Sequence, residues 1–348
     1  MSSATSAAEA YADFLSVRRV ILDSISSVAV MYFAYGFYVL LFGTCIRIMH
    51  NRQSEDDRPN YSLYLSLTII LFVLSTLFVA GYTIDQGTRS VIYFTAIKTG
   101  DYDRLDKYLS NDLGKTLVFT IHQLITVFMN LTADTMLIHR CYVIWGSRKR
   151  VGLPLAVAST ALNALGLTGC IINAIGTSNT TLEWKWALYL VARRISFVYG
   201  IVNVIVNSMI TLLTAGRIWW IHRQVRARGV HSSDKLINSI SRIILESGII
   251  YPIFVIGATI AVNVPPSERF RFDFYPLAAL SAGIAPTLIL VRAKLGKNVE
   301  TFQPMVSDLH FTSRTTRGGE STSRHQAYSL QPFSTVPSEI EEGVVAGK

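Results

Sequence analysis

Charge is what this chain has least of. Asp, Glu, Lys and Arg make up 16% of its 348 residues, where an ordinary soluble protein has about 25%. The shortage is local. Long stretches carry no charged side chain at all, and about 20 apolar residues are enough to cross a bilayer. With half of the residues hydrophobic, a separate soluble core is excluded, and one polytopic membrane domain is the expected organisation.

Other absences narrow the chemistry. The three cysteines, Cys45, Cys141 and Cys170, have neither metal-binding spacing nor an even disulfide framework. All three fall in or beside apolar stretches, where buried free thiols are expected. His50, His122 and His139 are scattered over helix ends and faces, unlike the clustered ligands of a membrane metallohydrolase. The last apolar stretch has no mid-membrane lysine for a retinal Schiff base, since Lys294 lies beyond it. No phosphate-cradling glycine loop, nucleophile–base set or internal repeat of the transporter kind is present. Neither an enzyme nor a bound cofactor is expected. Residues 1–23 are polar and lack an apolar core followed by a cleavage site, so the first span is expected to act as the targeting signal. The formal net charge of +9 does not indicate nucleic-acid binding, because the basic residues cluster in short loops between apolar spans, the pattern that sets membrane orientation.

What is present is a series of seven apolar spans, at about residues 24–46, 61–82, 116–139, 153–175, 195–215, 243–264 and 274–291. Trp219 and Trp220 extend the fifth at the level where aromatic side chains anchor helices. Pro252 lies in the sixth, and Pro276 and Pro286 in the seventh. The connection over residues 85–115 mixes charges of both signs with Tyr and Leu and has room for a short surface helix. The expected fold is therefore an all-α membrane protein, a seven-transmembrane helix bundle. Fifteen Lys and Arg flank the spans on the side of the loops after spans 1, 3 and 5, against twelve on the other side, five of them in the 85–115 connection. By the positive-inside rule the N-terminus is outside and the C-terminus cytoplasmic. Three regions follow: a polar extracellular tail over 1–23, the transmembrane domain over 24–297, and a Ser/Thr-rich cytoplasmic tail over 298–348 that reads as disordered.

The third span carries the first constellation. Gln123, Asn130 and Asp134 are seven and four residues apart, which places them within roughly 40° of one another on a helix. An unpaired charge at mid-membrane costs at least about 2.5–3.5 kcal/mol, so this seam must face the bundle interior. It reads either as a ligand or ion pocket with a coupling acid, or as interhelical hydrogen-bond glue worth about 0.6 kcal/mol per contact. Asn203 and Asn207 share one face of the fifth span. Arg140, at the end of the third span, and Glu246, at the start of the sixth, would both stand at the cytoplasmic edge. An ion pair between them would be a latch that breaks when the sixth span moves; the plainer alternative is two snorkelling interfacial charges. Asn179-Thr180-Thr181 is a glycosylation acceptor pattern in the expected outer loop between spans 4 and 5.

Three motifs together carry a resemblance. Ala133-Asp134 through Arg140-Cys141-Tyr142-Val143-Ile144-Trp145, then Ile244-Leu245-Glu246-Ser247 with Tyr251, then Gly283-Ile284-Ala285-Pro286-Thr287-Leu288-Ile289 with Val291-Arg292, resemble a family of seven-helix membrane proteins of basidiomycete fungi. The likeness covers about residues 30–297 and implies architecture and lineage rather than an activity. A looser likeness is to G-protein-coupled receptors. Arg140-Cys141-Tyr142 stands where those carry Asp-Arg-Tyr, and Pro252 where their sixth helix kinks. His139 replaces the acid, and Ala285-Pro286-Thr287 stands in place of Asn-Pro-x-x-Tyr.

The functional expectation is a receptor-like protein, in the plasma membrane by preference. It would bind a small molecule or peptide near Gln123, Asn130, Asn203 and Asn207, and signal to a cytoplasmic protein through movement of the sixth span, with Asp134, Arg140 and Glu246 as coupling residues. The alternatives are a transporter or channel using Asp134 for an ion or proton, and a structural membrane protein without a ligand. The lipid bilayer is the one partner common to all three; nucleic acid is not a partner in any.

Overall fold

The computed structural model describes residues 22–50, 58–100, 102–227, 234–263 and 273–307, and the regular elements among them are all helical. In chain order they are α1 (Ser24–His50), α2 (Arg58–Thr99), α3 (Asp103–Ser110), α4 (Leu113–Ile144), α5 (Lys149–Thr177), α6 (Glu183–Ala227), α7 (Asp234–Asn263) and α8 (Tyr275–Ser307). Six of these are long and apolar enough to cross a membrane, and α7 adds a shorter apolar run, Gly248–Ala261. Helices are the solution here because hydrocarbon offers no partner for backbone N–H and C=O groups, and a helix satisfies them within one segment. The chain is a multi-pass membrane protein built as a helical bundle. The described residues up to 304 belong to one compact unit.

Two helices outrun the bilayer. At 1.5 Å per residue, the 42 residues of α2 and the 45 of α6 span roughly 60–70 Å, about twice the hydrocarbon thickness. The 85–115 connection is therefore mostly helix rather than loop. α2 continues through the Asp85–Arg89 ion pair (3.1 Å) to Thr99, and α3 is the short helix for which the sequence had room. Asp112 then caps α4, accepting a hydrogen bond from the backbone N–H of Lys115 at 3.1 Å. The turn after α5 closes on the same end, where the Thr180 N–H donates to the Ser110 carbonyl at 2.9 Å. On the other side of the bundle, the Arg217 guanidinium is stacked on Trp145 and Trp220, 5.2 and 4.3 Å from the ring centroids.

α4 packs on α2, α5 and α6, α6 packs on α5 and α7, and α1 lies against α2. The most enclosed helix is α8. Of the residues in its apolar window 72% are buried, against 22–33% for the other five spans. Its buried positions run without a break from Ala279 to Val291. They meet Met31 and Tyr38 of α1, Leu71 and Phe78 of α2 and Met129 and Met136 of α4 in one cluster, Ala215 of α6 in another, and Tyr251 of α7 in a third. The composition explains this. Ala278, Ala279, Ser281, Ala282, Gly283 and Ala285 leave little bulk on any side, and small residues let helices approach closely in lipid. The outer helices show the opposite face, with Phe33, Leu40, Leu77 and Leu212 exposed as a belt for acyl chains. α8 also continues to Ser307, past residue 298 where the sequence suggested a tail; residues 308–348 and 1–21 lie outside the described residues.

Gly283 marks the tightest approach on α8. A Cβ there would stand 2.9 Å from the hydroxyl of fully buried Tyr38 and 3.2 Å from that of Ser75. Overpacking of this kind costs about 1–3 kcal/mol. Thermal unfolding in detergent should therefore show Gly283→Ala clearly destabilised. Gly36→Ala, in α1 with nothing within 4 Å of the added carbon, should melt close to the wild type.

Candidate functional site

α4 presents its polar seam to the bundle interior, and two of its three expected members meet partners from other helices at the same depth. Asn130 and Asp134 are buried, at 5% and 1% exposure. The Asn130 amide donates to the Tyr199 hydroxyl of α6 at 3.1 Å, and its carbonyl accepts from the Tyr251 hydroxyl of α7 at 3.2 Å. Tyr251 in turn accepts from the Asn203 amide of α6. Asn207 donates to the Asn203 side-chain oxygen at 2.8 Å. One tyrosine hydroxyl thus joins α4, α6 and α7.

Asp134 is held from the other side. Its Oδ2 accepts from the Ser159 hydroxyl at 2.7 Å and from the Asn163 amide at 3.3 Å, both on α5. Ser159 and Asn163 are one turn apart, and Asn163 also donates to the Ser159 carbonyl at 2.8 Å. The other oxygen, Oδ1, is buried and has no hydrogen-bond partner among the described residues. Asp134, Asn130, Asn207 and Tyr251 line a cavity of about 20 Å³, together with Thr211, Gly248, Ala282 and Pro286. A volume of that size has room for one water molecule or an ion of similar size. At Gly248 the approach is close enough that a Cβ would collide with the Thr211 methyl group.

Gln123 is not part of this cluster. It lies seven residues before Asn130, about 10 Å along the helix, and accepts from the Asn173 amide of α5 at 3.1 Å. Thr126, between them, shares a hydrogen bond of 3.0 Å with the Tyr275 hydroxyl of α8. The four residues proposed from sequence to line a ligand pocket are therefore tied to neighbouring helices or to one another. Asn130, Asn203 and Asn207 come together around Tyr251, and Gln123 stands apart.

The expected Arg140–Glu246 pair is replaced by a different one. Glu246 forms its ion pair with Arg292 of α8 at 3.4 Å, at an exposed site. Arg140 instead lies over the Tyr64 ring of α2, 5.3 Å from its centroid, and the Tyr64 hydroxyl shares a 3.0 Å hydrogen bond with Nδ1 of His139. The reason is competition. α8 offers a cation to Glu246, while the guanidinium of Arg140 reaches an aromatic face. Asn179 is on the turn between α5 and α6, where its side-chain oxygen accepts from the Thr181 backbone N–H at 3.0 Å and from the Thr181 hydroxyl. This local turn uses the same residues as the glycosylation pattern.

Sequence reasoning missed Ser159, Asn163, Tyr199 and Tyr251 as members of the site. The signal for the first two was available. Ser159, Asn163 and Asn173 share the buried face of α5 with Gly166, Gly169 and Gly176, a polar and small-residue face that only a periodicity reading of that span brings out. The tyrosines gave no comparable signal, because aromatic residues occur on every face of these helices. The described residues contain no group of three or more His, Cys, Asp or Glu arranged to hold a metal ion. Comparisons with protein-family models, with curated proteins and with solved structures return no match to this chain.

Tyr251 is the test of whether this cluster stabilises the bundle. Interhelical hydrogen bonds in membranes are worth about 0.6 kcal/mol each on average. Tyr251→Phe removes a donor to Asn130 and an acceptor for Asn203, so it should lower unfolding stability by about 1 kcal/mol. Tyr199→Phe, which removes one bond, should cost about half as much in the same unfolding assay.

Proposed function

We propose that this is a receptor-like membrane protein with seven crossings, in which α7 moves against α8 and the polar core on Asn130, Asn203 and Tyr251 sets the resting position. The observation that supports this most directly is how α7 is held. Its polar links to the rest of the bundle, among the described residues, include Tyr251 in the core and the exposed Glu246–Arg292 pair at the helix edge. Exposed ion pairs contribute little, about 0–1 kcal/mol, and Pro252 interrupts the α7 hydrogen-bond ladder beside Tyr251. A helix attached in this way is suited to two positions, and such elements carry switching. In this reading Glu246–Arg292 takes the role of the latch that the sequence suggested for Arg140. The orientation with the N-terminus outside rests on the distribution of Lys and Arg. It leaves the basic segment after α6 on the cytoplasmic side for a signalling partner and the plasma membrane as the natural location. The motif resemblance to fungal seven-helix proteins is consistent with seven crossings.

A second reading, ion- or proton-coupled transport through Asp134, is favoured by one observation, the buried oxygen Oδ1 without a hydrogen-bond partner among the described residues. The two separate in proteoliposomes. The receptor-like reading predicts proton and sodium fluxes no greater than those of empty vesicles. It also predicts that Glu246→Gln increases amide hydrogen exchange in α7 while α4 and α5 exchange as before. A flux above background that disappears in Asp134→Asn would replace it with transport. Unchanged exchange in Glu246→Gln would remove the latch.

A further inference from the structure

Asp134 sets an unbalanced account of charge. It is a carboxylic acid at 1% exposure, in the second half of α4, a helix long and apolar enough to cross a membrane. Its donors Ser159 and Asn163 are neutral and both serve Oδ2, and the neighbouring side-chain amide of Asn207 is neutral as well. Among the described residues, Oδ1 has no hydrogen-bond partner, and no Lys, Arg or His lines the cavity that Asp134 borders. An ionised carboxylate so placed needs a positive charge from outside the protein, because buried charges persist only when paired or bound to a cation.

The cavity wall is rich in oxygen, and two prolines contribute to this. Pro286 has no N–H for the carbonyl of Ala282, four residues back, and Pro252 has none for the carbonyl of Gly248. Ala282 and Gly248 both border the cavity. The two prolines therefore release two backbone carbonyls from their helical donors at the same place, on two different helices. Unwound or released helix carbonyls are a recurrent ligand for sodium in membrane proteins. The Thr211 hydroxyl donates to the Asn207 carbonyl at 2.9 Å, which leaves its lone pairs for a ligand. Gly248 itself is required by the close approach to Thr211, so a side chain at this position would take up the space beside the acid.

We infer that Asp134 Oδ1, with the Thr211 hydroxyl and the carbonyls of Gly248 and Ala282, binds one monovalent cation of sodium size at the centre of the bundle. The charge of one carboxylate matches one monovalent ion and would leave a divalent ion half neutralised. The volume, about 20 Å³, accommodates a single desolvated ion and not a hydrated one. A cation there touches α4, α6, α7 and α8 together and so ties the moving helix to the central one. The inference is independent of whether the protein signals, since it concerns binding in the resting protein.

The test uses the purified full chain in lipid nanodiscs, melted in sodium chloride and in choline chloride at equal ionic strength. Sodium should raise the midpoint by about 2–4 °C and saturate, as linkage to a folded-state ligand requires. Asp134→Asn should remain folded and lose the sodium dependence, and Thr211→Val should move the saturation to several-fold higher sodium. Equal melting of the wild type in both salts, or a sodium dependence retained in Asp134→Asn, would overturn the site. The infrared carboxyl region of the wild type serves where the variant does not fold. Adding sodium should convert the Asp134 signal to that of an ionised carboxylate. A protonated carboxyl signal unaffected by sodium would overturn the proposal and assign the missing charge to a proton.

Discussion

A polar group in hydrocarbon must find its partner inside the protein, and Asp134 is where this constraint acts most strongly. Its carboxylate cannot face lipid without a cost of several kcal/mol, so the face of α4 that bears it must turn inward. Ser159 and Asn163 then fix α5 against that face. Asn130, one turn away, brings Tyr199 and Tyr251, and through them α6 and α7. The rotation of four helices about their axes is set by a few hydrogen bonds around one acid. Apolar packing supplies the rest, through close approach at small residues rather than through a hydrophobic driving force, because lipid is as apolar as the protein core.

The helix that fills the remaining space is chosen by size instead of polarity. α8 has no charge in its buried stretch and few large side chains over its first half, and it is enclosed by α1, α2, α4, α6 and α7. Two neighbouring stretches of it have different tasks. The middle borders the cavity through Ala282, Ala285 and Pro286, and Arg292 reaches the exposed carboxylate of Glu246. The polar centre and the edge contact are therefore linked through one helix. A displacement of α7 changes its contacts at Tyr251 and at Glu246 together.

The spans were legible in the sequence because exclusion of charge from hydrocarbon is strong and local, and the inward face of the third span was legible because Asn130 and Asp134 repeat at helical spacing. What could not be read was which helices would be neighbours. Glu246 had more than one basic residue within reach of a plausible arrangement, and Arg292 rather than Arg140 is the one beside it. The long helical extension of α2 was hidden for a related reason. Beyond the hydrocarbon, Asp85, Arg89 and Lys98 are compatible with either helix or loop, and the Asp85–Arg89 pair favours helix only slightly. Gln123 was grouped with Asn130 by angle alone. The angle was right, but the distance along the axis gives it a separate partner, Asn173. Enclosure of α8 was written in its small residues, which look featureless until the bulk of the surrounding helices is considered.

The central claim is that Asp134 and the polar groups around it are buried in the bundle interior, where their partners come from neighbouring helices. Its most direct measurement is thiol accessibility at Thr211, which lines the cavity and tolerates a near-isosteric change. Thr211→Cys would be placed in a chain lacking Cys45, Cys141 and Cys170 and exposed to a membrane-impermeant thiol reagent from each side in turn. A cysteine at Val91, exposed on the projecting part of α2, would serve as the positive control. The account predicts no modification of position 211 from either side until the protein is denatured, with position 91 modified readily from one side. Rapid modification of position 211 from one face would contradict it, and would show an open path to Asp134 in the resting protein.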